Sequence, residues 1–153
     1  MVLLSVSKDL RAAQVESYRW GSVAMGGAGF VTGIIAHPAV KNLFYARTDV
    51  GGAYRREEAG KFWIPLTDWV SIEETGYMGI EAIALDPRAP SRLYLLAGTS
   101  YFNGGKTAIL RSEDRGDTFK VIEVTAQFKA HGNGMGRQNG EWLAVDPRDG
   151  NIL

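Results

Sequence analysis

The chain has 153 residues, and 17 Lys and Arg balance 17 Asp and Glu, so its formal net charge is zero. This balance, without any run of like charges, argues against a nucleic-acid surface and against a polybasic membrane patch. The absence of cysteine excludes disulfides and thiolate metal sites, and no apolar run reaches the roughly 18 residues that span a bilayer. The 19 glycines, together with many aromatic and β-branched residues, favour strands and turns.

The N-terminal residues 1–17 are expected to be a peripheral lead-in segment. Residues 8–17 are the one stretch whose pattern could form a helix. Residues 1–7 are too short for a secretory h-region and lack a basic n-region, although they could be the remainder of a signal peptide. From Tyr18 onward the sequence is typical of short strands joined by turns.

A glycine-rich stretch at residues 26–29 invites comparison with a dinucleotide-binding fingerprint. That fingerprint requires a strand before the glycines and a helix after them. Here a β-branched run from Phe30 to Ala36 follows and is ended by Pro38. The pattern therefore argues against a nucleotide site, and the two histidines have no metal-ligand spacing. We expect neither a cofactor nor a metal.

An internal repeat is the strongest signal in the chain. An apolar run ending in His-Pro or Asp-Pro, followed by a second apolar run, occurs three times, at Pro38, Pro87 and Pro147. The copies lie roughly 50 to 60 residues apart, which leaves room for about four short strands, the size of a β-propeller blade. The sequence predicts an all-β propeller, with residues 33–37, 80–85 and 141–145 as inner strands buried on both faces.

The second repeat contains an Asp box. Residues 112–119 read Ser-Glu-Asp-Arg-Gly-Asp-Thr-Phe, in which Asp114 is expected to accept backbone N–H bonds within a hairpin turn. Thr48-Asp49-Val50-Gly51-Gly52-Ala53-Tyr54 keeps the same spacing of Asp, Gly and aromatic residue. We interpret it as a modified Asp box, in which Asp49 is either a turn residue like Asp114 or a functional carboxylate.

The extent of the propeller also follows from the repeats. A single blade cannot bury both of its faces, and a closed propeller needs at least four blades. Residues 18–153 hold two blades and the first strands of a third. We expect the chain to be the N-terminal fragment of a longer protein.

Several segments together resemble glycoside hydrolase family 74, the xyloglucan-cleaving endo-glucanases and the reducing-end-specific oligoxyloglucan hydrolases. The Ala46-Arg47-Thr48-Asp49-Val50-Gly51-Gly52-Ala53-Tyr54-Arg55 string is the most specific of them, whereas Asp boxes also occur in other propellers. The remaining matches are residues 26–38, 63–69, 83–87, 112–119, 135–141 and 143–147.

The resemblance implies two seven-bladed propellers with a polysaccharide groove between them. It implies a secreted or periplasmic enzyme that cleaves β-1,4-glucan backbones with inversion. Asp49 falls on the position of the family's general base. The general acid belongs to the second propeller, so this chain by itself is expected to be inactive.

Further residues are candidates for binding the substrate. Gly51 and Gly52 form the turn, and Arg47 stands near Asp49 in the sequence. Trp69 and Tyr101 lie in long connections and could stack on sugars. Arg137 and Asn139, like Glu141, could also reach the sugar. Alternatives stay open for several of them. Arg47 and Arg55 could lie on a solvated rim, the aromatics could pack a blade edge, and Arg137, Asn139 and Glu141 could form a buried polar network.

Two other functions compete with the hydrolase. A non-catalytic Asp-box propeller that binds glycan or protein would have the same turns. A sialidase would need an arginine triad and a tyrosine nucleophile, and the expected arginine motif is missing near the start of the chain.

Overall fold

The structure is a computed structural model that describes residues 29–57, 60 and 62–153. The predicted lead-in at 1–17, its possible helix at 8–17, and residues 18–28 lie outside the described residues. The described residues contain eight strands, which are β1 Val31–Ala36, β2 Phe44–Thr48, β3 Ala53–Arg56, β4 Ile64–Pro65, β5 Ile80–Leu85, β6 Leu93–Gly98, β7 Thr107–Ser112 and β8 Lys120–Glu123. Two 3-10 helices lie at Ile72–Met78 and Asn103–Gly105.

The strands form two four-stranded antiparallel sheets in chain order. Sheet 1 has the order β1-β2-β3-β4 and sheet 2 the order β5-β6-β7-β8. Each sheet is therefore a simple meander, and the prediction of an all-β fold is confirmed. The first strands also share an irregularity, since the pairing register shifts between Val31 and Gly33 in β1 and between Ile80 and Ala82 in β5.

A meander places its connections alternately at two ends. The β2–β3 turn with Asp49, the β4–β5 and β6–β7 connections and the segment after β8 share one end, called the Asp49 end below. Hydrogen bonds tie these connections together, from Gly52 N–H to the Met78 carbonyl, from Gly98 N–H to the Gly79 carbonyl and from Gly132 N–H to the Gly98 carbonyl. The Asp box joins β7 to β8 at the opposite end.

This topology corrects one interpretation of the sequence. The Asp49 turn joins the second and third strands of its sheet, whereas the Asp box joins the third and fourth. Both are hairpin turns, as predicted, but the Asp49 turn is not a modified copy of the Asp box. The Asp, Gly and aromatic residues have the same spacing along the chain in both turns, and the pairing of the strands distinguishes one turn from the other.

The core lies between the sheets. Tyr45 from sheet 1 and Ile83, Leu95 and Leu110 from sheet 2 belong to one buried cluster. Burial raises the pKa of Tyr45 to about 12, since the uncharged phenol is favoured away from water. The two meanders are thus held face to face by apolar packing, the dominant stabilising term in such a fold.

The prediction that inner strands are buried on both faces holds for one sheet and is wrong for the other. Strand β5 is mostly buried, but β1 is largely exposed, with Ile34 at 54% of its full exposure. The difference arises because sheet 2 has sheet 1 on one side and residues 143–145 nearby, whereas no described sheet covers the outer side of β1.

The predicted third inner strand at 141–145 is not a strand in this structure. One backbone hydrogen bond of the repeat, donated by the residue before its Pro, is nevertheless present. Asp146 N–H donates to the Ile152 carbonyl at 2.9 Å. His37 and Leu43, and Asp86 and Arg92, make the same bond in the first two repeats. No described strand pairs with residues 141–145, and a strand needs such a partner.

The described residues contain neither a membrane-spanning helix nor a metal-binding cluster. In that part of the chain, no helix is long and apolar enough to cross a lipid bilayer. Within the same residues, no group of three or more His, Asp or Glu side chains could hold a metal ion.

Candidate functional site

Asp49 follows β2 directly and begins the turn into β3. Thr48 closes this turn, because its Oγ1 accepts a hydrogen bond from Gly51 N–H at 2.8 Å and donates one to the Gly52 carbonyl at 2.8 Å. The Tyr54 hydroxyl donates to the Gly51 carbonyl. The turn is therefore fixed by side chains of its own flanking strands, and it presents Asp49 at a defined place.

One oxygen of the Asp49 carboxylate is held by the backbone. Phe30 N–H donates to Asp49 Oδ1 at 2.7 Å, and Asp49 N–H donates to the Phe30 carbonyl at 3.1 Å. The approach is close enough that a Cβ at Gly29, whose φ is +94°, would lie 3.0 Å from Asp49 Oδ1. A glycine is thus required beside the carboxylate, both for this backbone conformation and for space.

The second oxygen of Asp49 faces an arginine from another part of the chain. Arg137 Nε lies 4.0 Å from Asp49 Oδ2, and it is buried without a hydrogen-bond partner among the described residues. The Arg137 guanidinium also lies over the Phe30 ring, 5.7 Å from its centroid, a cation–π arrangement. Asp49 keeps 8% of its full exposure, so its carboxylate is enclosed on most sides.

Asp114 has a different environment, although both aspartates lie in hairpin turns. Its carboxylate accepts hydrogen bonds from Ser112 Oγ, Thr118 N–H and Thr118 Oγ1 at 2.5–2.9 Å. These donors, with Thr118 Oγ1 the strongest, lower the pKa of Asp114 to about 2. Asp114 is saturated by its own turn, whereas Oδ2 of Asp49 accepts no hydrogen bond within the described residues.

Arg47 is not available to a ligand, which corrects its prediction as a substrate-binding residue. It is 1% exposed. Its guanidinium donates to Thr32 Oγ1, the Arg137 carbonyl, the Gly140 carbonyl and Glu141 Oε1, at 2.7–3.0 Å. Arg47 therefore does not lie on a solvated rim. It forms a polar network with Glu141 and with the carbonyls of Arg137 and Gly140, whereas Asn139 is exposed and makes no described bond to this network.

Gly51 and Gly52 are corrected in the same way. Both are buried, and their backbone groups bond to Thr48, Tyr54 and Met78. They shape the turn and offer no described group to a sugar. Arg55 lies toward the opposite end, where it bonds to the Arg115 carbonyl and to Asp117, so it does not reach Asp49.

The remaining predicted contacts are exposed to different degrees. Tyr101, in the β6–β7 connection at the Asp49 end, is 74% exposed and lies edge-on to His131, with 4.9 Å between ring centroids. Asn139 is exposed in the segment after β8. Trp69 is 43% exposed, but its ring lies 6.2 Å from that of Phe119 of the Asp box. No described contact brings Trp69 to Asp49.

Phe30 was missed as a site residue. It binds Asp49 through its backbone and Arg137 through its ring, and it directly follows Gly29 in the glycine-rich stretch. A glycine followed by an exposed aromatic was the available signal. For Glu141 the sequence leaves open a contact with the sugar or a place in a polar network, and nothing in the sequence indicates that it contacts both sheets.

Fold and site together describe an all-β protein built from repeated four-stranded meanders, with one enclosed carboxylate at the end where the connecting loops meet. No family model matches the chain. It is similar to a xyloglucanase from a Paenibacillus species, at 49% identity over 93% of this chain and 14% of that protein. It is also similar to the oligoxyloglucan-reducing end-specific xyloglucanase of Emericella nidulans, at 50% identity over 86% of this chain and 16% of that protein.

Two solved structures give the same result. The glycoside hydrolase family 74 enzyme of Niastella koreensis matches with a TM-score of 0.77 and 61% identity, over 84% of this chain and 19% of that one. The family 74 xyloglucanase of Xanthomonas campestris matches with a TM-score of 0.76 and 52% identity, over 88% of this chain and 19% of that one. The resemblance to glycoside hydrolase family 74 is thereby confirmed, and the chain spans less than a fifth of the relatives it matches.

Proposed function

We propose that this chain is part of an inverting glycoside hydrolase that cleaves the β-1,4-glucan backbone of xyloglucan, with Asp49 as the general base. The names of the similar proteins support the substrate. The observation that carries the proposal is the state of the Asp49 carboxylate. One oxygen is fixed by Phe30 N–H, and the other accepts no hydrogen bond from the described residues and lies beside Arg137.

The proposed chemistry needs two carboxyl groups. The Asp49 carboxylate takes a proton from a water molecule as the water oxygen attacks the anomeric carbon. A carboxylic acid protonates the departing glycosidic oxygen from the other face of the sugar. Inverting enzymes place the two groups about 6.5–9.5 Å apart, which leaves room for the water. A base fixed through one oxygen keeps the other oriented toward that water.

The proposed architecture supplies the acid from elsewhere. Sheets 1 and 2 correspond to the first two blades of a seven-bladed propeller within residues 18–153, and residues 141–153 correspond to the start of a third. A second propeller would face this one and carry the general acid. The alternating topology supports this arrangement, because it gathers the long connections of both sheets at the Asp49 end.

The polysaccharide would lie across that end. Tyr101, Asn139 and Arg137 are the described candidates for contact with the sugars, and Trp69 is a candidate only if the groove extends over the outer strands. Sugars stack on exposed aromatic rings through their C–H faces, which suits Tyr101. We propose a secreted or periplasmic location for this enzyme, and the reaction as written needs no cofactor.

Asp49→Asn in the complete enzyme tests the proposal. Asn keeps the shape of the side chain and the acceptor for Phe30 N–H but cannot take a proton from water. We expect kcat on xyloglucan oligosaccharides to fall by roughly 10²–10⁴-fold, while the binding of the substrate, measured by calorimetry, changes little. Asp114→Asn is the matched control and is expected to retain turnover. Near-normal turnover of Asp49→Asn would show that Asp49 is not the general base.

A further inference from the structure

Arg47 and Asp49 lie two positions apart at the end of β2. Both of these side chains meet the segment from Gly134 to Glu141. Arg47 Nη1 donates to the backbone carbonyl of Arg137 at 3.0 Å. The side chain of the same Arg137 lies beside Asp49 Oδ2. The strand that ends at the proposed base therefore also holds the arginine next to it.

Glu141 extends this contact to the second sheet. Its Oε1 accepts from Arg47 Nε at 2.7 Å, and its Oε2 accepts from the backbone N–H of Ile83 in β5 at 2.6 Å. Both partners are donors, so each carboxylate oxygen is needed as an acceptor. A Gln at this position would direct its NH2 group toward one of the two donors.

The geometry leaves the Gly134–Glu141 segment little freedom of its own. Its carbonyls at Arg137 and Gly140 bond to a buried guanidinium, and its last side chain is bound to both sheets. Within the segment, Arg137 N–H donates to the Gly134 carbonyl at 3.1 Å and Asn139 N–H donates to the Gly136 carbonyl at 2.9 Å. The position of Arg137 beside Asp49 is thus set mainly by Arg47 and Glu141.

We propose that Arg47 and Glu141 are positioning residues for the reaction. They act through Arg137, whose guanidinium they hold next to Asp49 Oδ2, and they touch neither substrate nor water themselves. This inference rests on the proposed function of Asp49. It assigns a part in turnover to the ion pair between the buried Arg47 and the partly exposed Glu141, which joins the two sheets.

A double-mutant cycle in the complete enzyme tests the inference. Glu141→Gln, Arg137→Gln and the double variant are compared for kcat and KM on a xyloglucan oligosaccharide, at a temperature well below the melting temperature of each. Misplacement of a group near the reacting atoms can cost about 10²-fold in rate. We expect Glu141→Gln to lower kcat by roughly 10- to 100-fold with little change in KM. The double variant should be no slower than Arg137→Gln.

The control is a glutamate that binds two arginines at a site remote from Asp49. Glu113 binds Arg92 at 2.9 Å and Arg111 at 2.6 Å at the opposite end of sheet 2, and Glu113→Gln should leave kcat and KM unchanged. If Glu141→Gln proves too unstable to assay, Thr32→Val removes only one acceptor from Arg47 and enters the same cycle.

The outcomes separate this inference from the proposed function. Unchanged kcat in Glu141→Gln, or effects of the two substitutions that multiply in the double variant, overturns the positioning role while an inactive Asp49→Asn still supports the base. Near-normal turnover of Asp49→Asn overturns both. Non-additive loss of kcat together with an inactive Asp49→Asn supports both.

Discussion

His37 Nδ1 and Asp86 Oδ1 hold the same turn in successive sheets. Each accepts a hydrogen bond from the backbone N–H two residues ahead, from Ala39 at 3.1 Å and from Arg88 at 2.8 Å. Asp146 repeats the contact with Arg148 N–H at 2.7 Å. The first repeat thus uses an imidazole where the others use a carboxylate, and an imidazole loses its acceptor when protonated.

The stability of the protein is expected to depend on pH through His37. Burial, followed by the charge of Arg115, lowers the pKa of His37 below its usual 6.5. The neutral form therefore stabilises the fold fully above about pH 6.5, and this contribution is lost as the pH falls through that value toward the lower folded pKa. Thermal unfolding followed between pH 5 and pH 8 should show the loss.

His37→Asp is the matching variant, because Asp supplies the acceptor used in the other two repeats. At pH 8 it should change the free energy of unfolding by less than about 1 kcal/mol. Below pH 6.5 it should lose less stability than the native protein. Equal pH dependence of the two proteins would show that His37 is not the titrating group.

Asp114 gives a second prediction, at lower pH. Its pKa of about 2 lies below the value of an unfolded Asp, so its contribution is present above about pH 4 and is lost as the pH falls toward 2. Asp114→Ala removes the acceptor of three hydrogen bonds within the turn. We expect a loss of about 1–3 kcal/mol in stability at pH 7, measured by denaturant unfolding. A loss that persists undiminished at pH 2 would contradict this account.

The parts of the fold that were predictable from sequence are local. The Asp box depends on Ser112, Asp114 and Thr118, which lie within one turn, and the repeat predicted β1 and β5 because their apolar runs are continuous. The surroundings of Asp49 depend on contacts across 19 residues to Phe30 and those of Arg47 on contacts across 94 residues to Glu141. Periodicity and spacing carry no information about such pairs.

The same limit explains the errors. Their place next to Asp49 in the sequence predicts Arg47, Gly51 and Gly52 as substrate contacts. In the structure Arg47 is enclosed by the segment that ends at Glu141, and the glycines by Thr48, Tyr54 and Met78. The prediction of a third inner strand is wrong because a strand needs a paired neighbour, and no described strand pairs with residues 141–145.

Gly52 gives the last prediction, which concerns the turn that presents Asp49. Its φ is +81°, and a Cβ there would overlap Thr67 Oγ1 and lie 3.2 Å from Met78 Cε. Gly52→Ala therefore adds both backbone strain and a steric clash, each worth about 1–3 kcal/mol. We expect a loss of roughly 2–5 kcal/mol in stability, measured by denaturant unfolding.

Two further variants separate the strain from the clash. Gly104 also has a positive φ, +62°, but a Cβ there would meet nothing within 4 Å, so Gly104→Ala should show the strain alone. Thr67→Ala removes the atom that clashes and sacrifices only a 3.3 Å hydrogen bond from Ala53 N–H. Gly52→Ala should consequently cost less in the Thr67→Ala background than in the native one. If the cost is the same in both backgrounds, the clash with Thr67 is relieved by movement of the turn. Because that movement would displace Asp49, Gly52→Ala should then also lower kcat of the complete enzyme.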